Sequence, residues 1–163
     1  MVLLNKLLEI ISTNADLTTA QLAAMLNEKE ENIISQLKNF EKEGILKGSK
    51  AIINWDKAPD KNVTAIIELT VTPKKETGFD EIAKTIMKFD EVESIYLMAG
   101  TYDFSIMVRG SSIQEISMFV SKKLSTLDSV MSTATHFVLT RYKDSGIILC
   151  DEENKDERSN MLL

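Results

Sequence analysis

The sequence predicts an α+β protein that consists of an N-terminal winged helix-turn-helix and a C-terminal ferredoxin-like βαββαβ domain. Two observations predict this division. Up to about residue 44 the apolar residues recur at helical spacing, whereas from Val63 onward they alternate as in strands, with two helical stripes between. The polar segment 56–62 lies between the two patterns and contains one of the two prolines. We therefore expect domains at 1–55 and 63–146, a linker at 56–62 and a mostly disordered tail at 147–163.

Three short helices are predicted at the start of the chain. The first has an apolar stripe formed by Leu3, Leu4, Leu7, Leu8 and Ile11. Thr18 and Gln21 have the spacing of a capping box at the start of a second helix, whose apolar face is Leu22, Ala23 and Leu26. The third helix follows Asn27 and ends before Gly44, a residue typical of helix C-termini.

The third helix is predicted to bury Ile33, Ile34, Leu37 and Phe40. Three helices with a short turn between the last two predict a helix-turn-helix. After Gly44, residues 45–53 are expected to form a small β-wing that turns at Gly48 and Ser49.

The outward face of the third helix is the candidate DNA-reading surface. Asparagine and glutamine can bind adenine edges in bidentate fashion, and lysines can contact phosphates. The candidate DNA-binding residues are Asn32, Ser35, Gln36, Lys38, Asn39, Lys47 and Lys50.

The charge of this region opposes the DNA-binding interpretation. Residues 1–56 contain six lysines and no arginine against eight acidic residues, so their net charge is 6 − 8 = −2. Glu28, Glu30 and Glu31 lie at the start of the third helix, where they would meet a polyanion, although they also favourably oppose the helix dipole. A three-helix unit that mediates protein interactions therefore remains an alternative.

The second half of the chain predicts four strands and two helices. The strands are expected at 63–72, 92–99, 104–109 and 130–142, and residues 147–150 are expected to add an edge strand or pack on a neighbour. The helices are expected to bury two stripes: Phe79, Ile82, Ala83, Ile86 and Met87, then Ile113, Ile116, Val120, Leu124 and Leu127. Ser111 or Ser112 is expected to cap the second of these helices.

A βαββαβ sheet carries its helices on one face only, so its other face needs a cover. We expect much of the remaining apolar surface of the strands on that face, and the same face of a second copy would cover it as an isologous dimer. Pairing would also give the helix-turn-helix a second half-site to read.

The turn between the second and third strands, Gly100–Asp103, displays a tyrosine hydroxyl and a carboxylate together. Gly100 can take a positive φ, and Asp103 can hydrogen-bond the local backbone. A packed hairpin turn explains this equally well.

Composition narrows the class of protein. The net charge of −6 among 163 residues is not that of a protein that coats nucleic acid nonspecifically. One cysteine, Cys150, excludes an intramolecular disulfide and favours a reducing, cytoplasmic location, and no stretch is long enough to span a membrane. With one histidine, His136, and no glycine-rich phosphate loop, we expect neither an enzyme nor a metal site, and no cofactor.

Three features together resemble the Lrp/AsnC family, the feast/famine regulators, over residues 2–143. They are the segment Leu37–Gly48 at the end of the third helix, the Gly-x-Tyr-Asp turn at 100–103, and the order of a helix-turn-helix followed by a βαββαβ domain. The resemblance implies a transcription regulator whose C-terminal domain, of the RAM type, dimerises and commonly assembles to an octamer. It also implies a small effector, usually an amino acid, bound between dimers near this turn.

By position, the resemblance makes Gly100, Thr101, Tyr102 and Asp103 candidate effector-binding residues, with Thr133 and Thr135 on the last strand as further candidates. The chain departs from the family where its third helix has Ser35, Gln36, Lys38 and Asn39 in place of the usual arginines. The alternative to a DNA-binding regulator is thus a ligand-binding oligomer whose helix-turn-helix binds protein.

Overall fold

The computed structural model describes residues 2–59, 62–73 and 78–150, without the side chains of residues 2–4. The chain divides into two compact units between Ala51 and Ile52. The predicted disorder after residue 150 and the linker residues 60–61 lie outside the described residues. Within the described ranges, no helix combines the length and the apolar character needed to cross a lipid bilayer.

The first unit contains the three helices of the predicted helix-turn-helix. They are α1 (Val2–Thr13), α2 (Thr19–Leu26) and α3 (Glu30–Lys42). Their apolar stripes meet in one core, since burial of apolar side chains is the main force that holds short helices together. The buried residues of this core are Leu7, Leu22, Ala23, Leu26, Ile33 and Phe40.

Both predicted caps are present. The backbone N–H of Gln21 donates to the Thr18 hydroxyl at 3.2 Å, and the Thr18 N–H donates to the Gln21 side chain at 2.8 Å, which completes the capping box. Gly44 has a φ of +72° just after α3, and the Ile45 N–H donates to the Phe40 carbonyl at 2.8 Å. This is the bond pattern of a Schellman motif, so Gly44 ends α3 as predicted.

Two predictions for this region were not met. Ile34 is 36% exposed and lies outside the core, because only Ile33, Leu37 and Phe40 fall on the stripe that faces the other helices. No strand occurs at residues 45–53, all of which are described, so the chain after α3 does not form a β-wing here. A two-stranded ribbon without a packed face has little stability of its own.

The second unit has the predicted βαββαβ order. Its elements are β1 (Val63–Val71), α4 (Gly78–Ile86), β2 (Val92–Leu97), β3 (Phe104–Gly110), α5 (Ile113–Phe119) with a π-helical turn (Val120–Leu124), and β4 (Val130–Phe137). They form an antiparallel sheet in the order β2-β3-β1-β4. Ser112 caps α5 through a bond from the Glu115 N–H to its hydroxyl.

The last strand is shorter than predicted. It ends at Phe137, and a separate hairpin of β5 (Lys143–Asp144) and β6 (Ile147–Ile148) follows. The hairpin turns at Ser145 and Gly146, which both have positive φ. Residues 147–148 therefore pair with β5 rather than extending the main sheet.

Alternate residues of the strands pack against the helices. Ala65, Ile67 and Leu69 of β1 and Ile106 of β3 are fully buried there. Two predicted members of the helix stripes are exposed instead, Met87 at 56% and Ile113 at 57%, because each lies at a helix end where the stripe leaves the core.

The opposite face of the sheet, here called the open face, is more polar than predicted. Strand register and alternation place the following residues on it: Thr64, Ile66, Glu68, Thr70, Ser94, Tyr96, Ser105, Met107, Arg109, Ser132, Ala134 and His136. Polar residues outnumber apolar ones in this set. The expectation that the open face holds much of the remaining apolar surface is therefore wrong, although Ile66 and Met107 give it an apolar centre.

Candidate functional site

The outward face of α3 presents most of the predicted DNA-reading side chains to solvent. Asn32, Ser35 and Asn39 are exposed and Gln36 is half-buried. Their spacing of i, i+3, i+4 and i+7 places these four on one side of the helix, adjacent to the stripe that contains the buried Ile33 and Phe40. Lys38 is exposed as well, further round the helix.

One of these side chains already has a partner. The Asn32 side-chain amide donates to the Glu28 carboxylate at 3.2 Å, one turn earlier. The Thr19 hydroxyl donates to the Glu30 carboxylate, which links α2 to α3. Sequence reasoning missed both contacts, although the i, i+4 spacing of Glu28 and Asn32 could have indicated the first. Two of the three glutamates at the start of α3 thus have structural partners.

Two further lysines follow α3. Lys47 and Lys50 are exposed in the irregular segment after Gly44. An ammonium group on a long, flexible side chain suits phosphate contact, which needs charge more than fixed geometry. The structure therefore leaves the predicted phosphate-contacting residues of this segment at the surface of the first unit.

The turn at Gly100–Asp103 is held against the end of β1. The Asp103 N–H donates to the Leu69 carbonyl at 2.9 Å, and the Met98 N–H donates to the Asp103 carbonyl at 2.8 Å. The Asp103 carboxylate accepts from the Val71 N–H at 2.8 Å through Oδ2. Asp103 thus bonds a neighbouring strand rather than only its own turn.

Gly100 does not adopt the positive φ that the sequence allowed. A Cβ built on Gly100 would meet no atom within 4 Å, so nothing in this unit demands glycine there. Gly100 and Thr101 are exposed, whereas Tyr102 is half-buried. The space beside the backbone of Gly100 is therefore open.

Thr133 and Thr135 lie on the far side of β1 from this turn. Thr133 pairs with Leu69 and Thr135 pairs with Ile67, and both threonines are half-buried. The register places them on the helix-bearing face of the sheet. The described contacts link Asp103 to β1 but do not bring either threonine to the turn.

A groove of about 360 Å³ lies beside α5, and sequence reasoning did not foresee it. Glu91 in this groove forms an ion pair with Lys123, whose ammonium also lies 5.6 Å from the Phe89 ring. Burial raises the pKa of Glu91, but the hydrogen bond and charge of Lys123 and a backbone hydrogen bond outweigh it, so the pKa falls below its usual 4.5. The charges of the groove are thus largely matched internally.

Glu115 lines the same groove. The Ser111 hydroxyl donates to its carboxylate at 2.5 Å and the Ser111 N–H at 2.6 Å. These two bonds lower the pKa of Glu115 below its usual 4.5. Within the described residues, no group of three or more acidic, histidine or cysteine side chains is placed to bind a metal ion.

Comparison with known proteins agrees with this architecture. Residues 64–148 match the model of the Lrp/AsnC ligand binding domain. The chain is 48% identical over 145 residues to the uncharacterized HTH-type transcriptional regulator YugG of Bacillus subtilis, and the match covers 86% of each protein. The chain belongs to the Lrp/AsnC family. This membership confirms the predicted resemblance and the expectation that the protein is a transcriptional regulator and not an enzyme.

Other members of the Lrp/AsnC family are similar over nearly the same length. The proline dehydrogenase transcriptional activator of Rhizobium radiobacter is 28% identical over 142 residues, which cover 87% of this chain and 90% of that one. Escherichia coli AsnC superposes with a TM-score of 0.67 at 24% identity, covering 90% of this chain and 97% of that one. A Neisseria meningitidis regulator solved as a complex with L-Met superposes with a TM-score of 0.70 at 22% identity. The superposition covers 87% of this chain and 91% of that one. These structural matches establish the Lrp/AsnC fold.

Proposed function

We propose that this protein regulates transcription by binding specific DNA through α3 and by sensing a small molecule, an amino acid, through its second unit. The observation that carries the proposal is the two-sided character of α3. Its inner side is buried against α1 and α2, while its outer side presents hydrogen-bonding side chains at the spacing of one helix face. A helix of this kind suits the major groove.

On this proposal, Asn32, Gln36 and Asn39 read base edges and Lys38, Lys47 and Lys50 contact phosphates. Amide side chains can distinguish adenine from the other bases, whereas lysines supply affinity that does not depend on sequence. Ser35 would contribute a further hydrogen bond. The acidic first turn of α3 lowers nonspecific attraction and leaves specific contacts as the main source of binding.

The effector is proposed to bind at Gly100–Asp103. Backbone N–H groups of a turn can hold a carboxylate, and the Asp103 carboxylate can accept from an ammonium group. An amino acid carries both groups. The L-Met complex of the Neisseria meningitidis protein supports this ligand class. Thr133 and Thr135 lie across β1 from this turn, so their proposed contribution from β4 would require a second subunit to complete the site.

Effector binding is proposed to act through assembly. A second copy covering the open face around Ile66 and Met107 would form a dimer, and dimers would assemble further, commonly to an octamer. An effector bound between dimers would favour one assembly state and so change how many helix-turn-helix units engage DNA together. All of these steps take place in the cytoplasm.

A second candidate function has a specific observation in its favour. Glu28 occupies the Asn32 amide, and the acidic start of α3 opposes a polyanion. These features suit an oligomeric ligand-binding protein whose helix-turn-helix binds another protein. Substitution of Gln36 or Asn39 by alanine distinguishes the two functions. DNA binding should fall if α3 reads bases, whereas a helix-turn-helix that only binds protein should show no such loss.

The experiment is to measure binding of the purified protein to the DNA upstream of its own gene and to scrambled DNA across a salt series. A regulator forms a specific complex that weakens as salt rises, since phosphate contacts release counterions. Absence of binding at low salt, with and without amino acids, would reject the DNA-binding proposal and favour the protein-interaction alternative.

A further inference from the structure

One apolar side chain of α3 lies outside the core of the first unit. All of α3 is described, and its apolar residues are Ile33, Ile34, Leu37 and Phe40. Ile33 and Phe40 are buried and Leu37 packs against the same core, whereas Ile34 is 36% exposed and does not belong to it. A β-branched residue also stabilises a helix less than leucine, glutamate or lysine does. Neither core packing nor helix stability therefore accounts for isoleucine at this position.

Ile34 and the amide side chains lie on different flanks of the outer side of α3. Successive residues of an α-helix are rotated by about 100°, so Asn39 and Asn32 lie roughly 40° and 60° to one side of Ser35. Ile34 lies about 100° to the other side of Ser35. Lys38 follows Ile34 by one turn and is on the same flank. The outer side of α3 thus has an amide flank and a flank that carries Ile34.

The side chains one turn before and after Ile34 suit a contact with DNA. Lys38 is exposed, and its ammonium group can contact a phosphate beside the base that Ile34 meets. Glu30 comes four residues before Ile34, and its carboxylate accepts a hydrogen bond from the Thr19 hydroxyl of α2. This carboxylate is therefore engaged by α2, while the lysine on the same flank supplies a positive charge.

An exposed aliphatic side chain has one matching group in the major groove. Base pairs present hydrogen-bond donors and acceptors there, and thymine adds its C5-methyl group. The groove is about 12 Å wide and admits an α-helix, so both flanks of the helix approach base edges. Against a donor or acceptor, the Ile34 side chain would leave a polar group without a partner. Against a methyl group, it removes apolar surface from water on both sides.

We propose that Ile34 is a specificity-determining residue that contacts the C5-methyl group of a thymine in each half-site. The inference rests on the proposed function, because it requires α3 to bind the major groove of specific DNA. The two flanks of α3 then supply two kinds of sequence information. Asn32 and Asn39 recognise bases by hydrogen bonds, and Ile34 recognises a base by apolar contact alone.

Deoxyuridine in place of thymine tests this contact, because uracil pairs with adenine in the same way and lacks only the methyl group. Footprinting on the upstream DNA locates the half-sites, and each thymine within one half-site is replaced in turn. We expect the affinity of wild type to fall about fourfold when the contacted thymine is replaced, which is the loss expected for one buried methyl-sized group.

Three variants show whether Ile34 makes the contact. Ile34→Ala should bind the unmodified duplex more weakly than wild type and should bind the thymine and uracil duplexes equally. Ile34→Val keeps a β-branched apolar side chain and should retain most of the fourfold difference. Ile45→Ala is the matched control, since it makes the same truncation at a residue that is 53% exposed and lies outside α3. Ile45→Ala should show the full difference of wild type.

The outcomes separate the inference from the proposed function. If no thymine replacement weakens binding by wild type, the inference is wrong while the proposed function stands. The same holds if Ile34→Ala keeps the loss at the same thymine, because the loss then comes from duplex shape or from another residue. If wild type does not prefer the upstream DNA to scrambled DNA, the proposed function itself fails and the inference fails with it.

Discussion

The carboxylate of Asp103 accepts a hydrogen bond from the backbone N–H of Val71 at 2.8 Å. Asp103 precedes β3 and Val71 ends β1, where the ladder between the two strands stops at Leu69 and Phe104. The side chain thus takes the place of a backbone carbonyl at the end of the sheet. One residue of the proposed effector site also holds the strand ends together.

Asp103→Ala should destabilise the protein because it leaves the half-buried Val71 N–H without its acceptor. A lost partner of this kind costs about 1–3 kcal/mol, measurable by urea unfolding. Asp103→Asn keeps an acceptor oxygen and should retain most of the stability but lose affinity for amino acids, which calorimetry would measure. Equal amino-acid binding by wild type and Asp103→Asn would exclude Asp103 as the ammonium acceptor.

Thr18→Ala should weaken the first unit through loss of the α2 cap. Removal of a capping hydroxyl costs about 0.5–2 kcal/mol. Thr18→Ser keeps the hydroxyl and is the matched control. Urea unfolding followed by circular dichroism at 222 nm should place the serine variant near wild type. An alanine variant as stable as wild type would show that the capping box contributes nothing to the unit.

Glu28→Ala should increase the preference for specific DNA because it releases the Asn32 amide to reach a base. Glu41→Ala removes the same charge from exposed α3 without a described contact to Asn32 and is the control. Both variants should bind scrambled DNA more tightly. Only Glu28→Ala should raise the ratio of specific to scrambled affinity, by about fivefold, within the range of one good base contact. Equal ratios for the two variants would mean that Asn32 does not read a base.

Glu91→Gln should reduce stability at neutral pH but not in acid. The folded-state pKa of Glu91 is lowered, so its contribution is present above the unfolded pKa and is lost as pH falls through the folded value. Its side chain is 23% exposed, and we expect a difference of about 1 kcal/mol or less at pH 7. Urea unfolding from pH 7 to below 4.5 should show wild type and variant converging. A difference that persists in acid would assign the effect to packing.

Ile66→Glu should convert the proposed dimer to a monomer, since Ile66 lies on the open face of β1 and a buried, unpaired charge is strongly unfavourable. Met87→Glu, on an exposed residue of the other face, should leave assembly unchanged. Sedimentation velocity at micromolar concentration would measure both variants. A dimer that survives Ile66→Glu would place the interface elsewhere.

The sequence correctly predicted those helix caps, helix ends and strands that are determined by residues close together in the chain. The capping box of Thr18 and Gln21, the stop at Gly44 and the order of strands and helices all follow from nearby residues. Ile34, Met87 and Ile113 were misplaced, because periodicity alone does not say where a stripe leaves the core. β4 ends at Phe137, opposite Ala65 of β1, and the apolar alternation within β4 does not mark that residue as its end.

The candidate site was predictable in position but not in contacts. Spacing within α3 was enough to choose Asn32 and Asn39 as outward-facing residues. The bond from Val71 to Asp103 and the stacking of Trp55 on Arg109 join residues far apart in sequence, and no local pattern reports such pairs. Only the three-dimensional structure shows that the Asp103 side chain holds the backbone of β1 in place.

The central claim is that the outer face of α3 reads DNA sequence. The most direct measurement is the ratio of affinities for upstream and scrambled DNA, compared between wild type, Asn39→Ala and the control Asn14→Ala, which changes an exposed residue after α1. Loss of a base contact costs about 1–3 kcal/mol, so the affinity ratio for Asn39→Ala should fall roughly 5- to 150-fold. The affinity ratio for Asn14→Ala should equal that of wild type. An Asn39→Ala ratio equal to that of wild type would contradict the account.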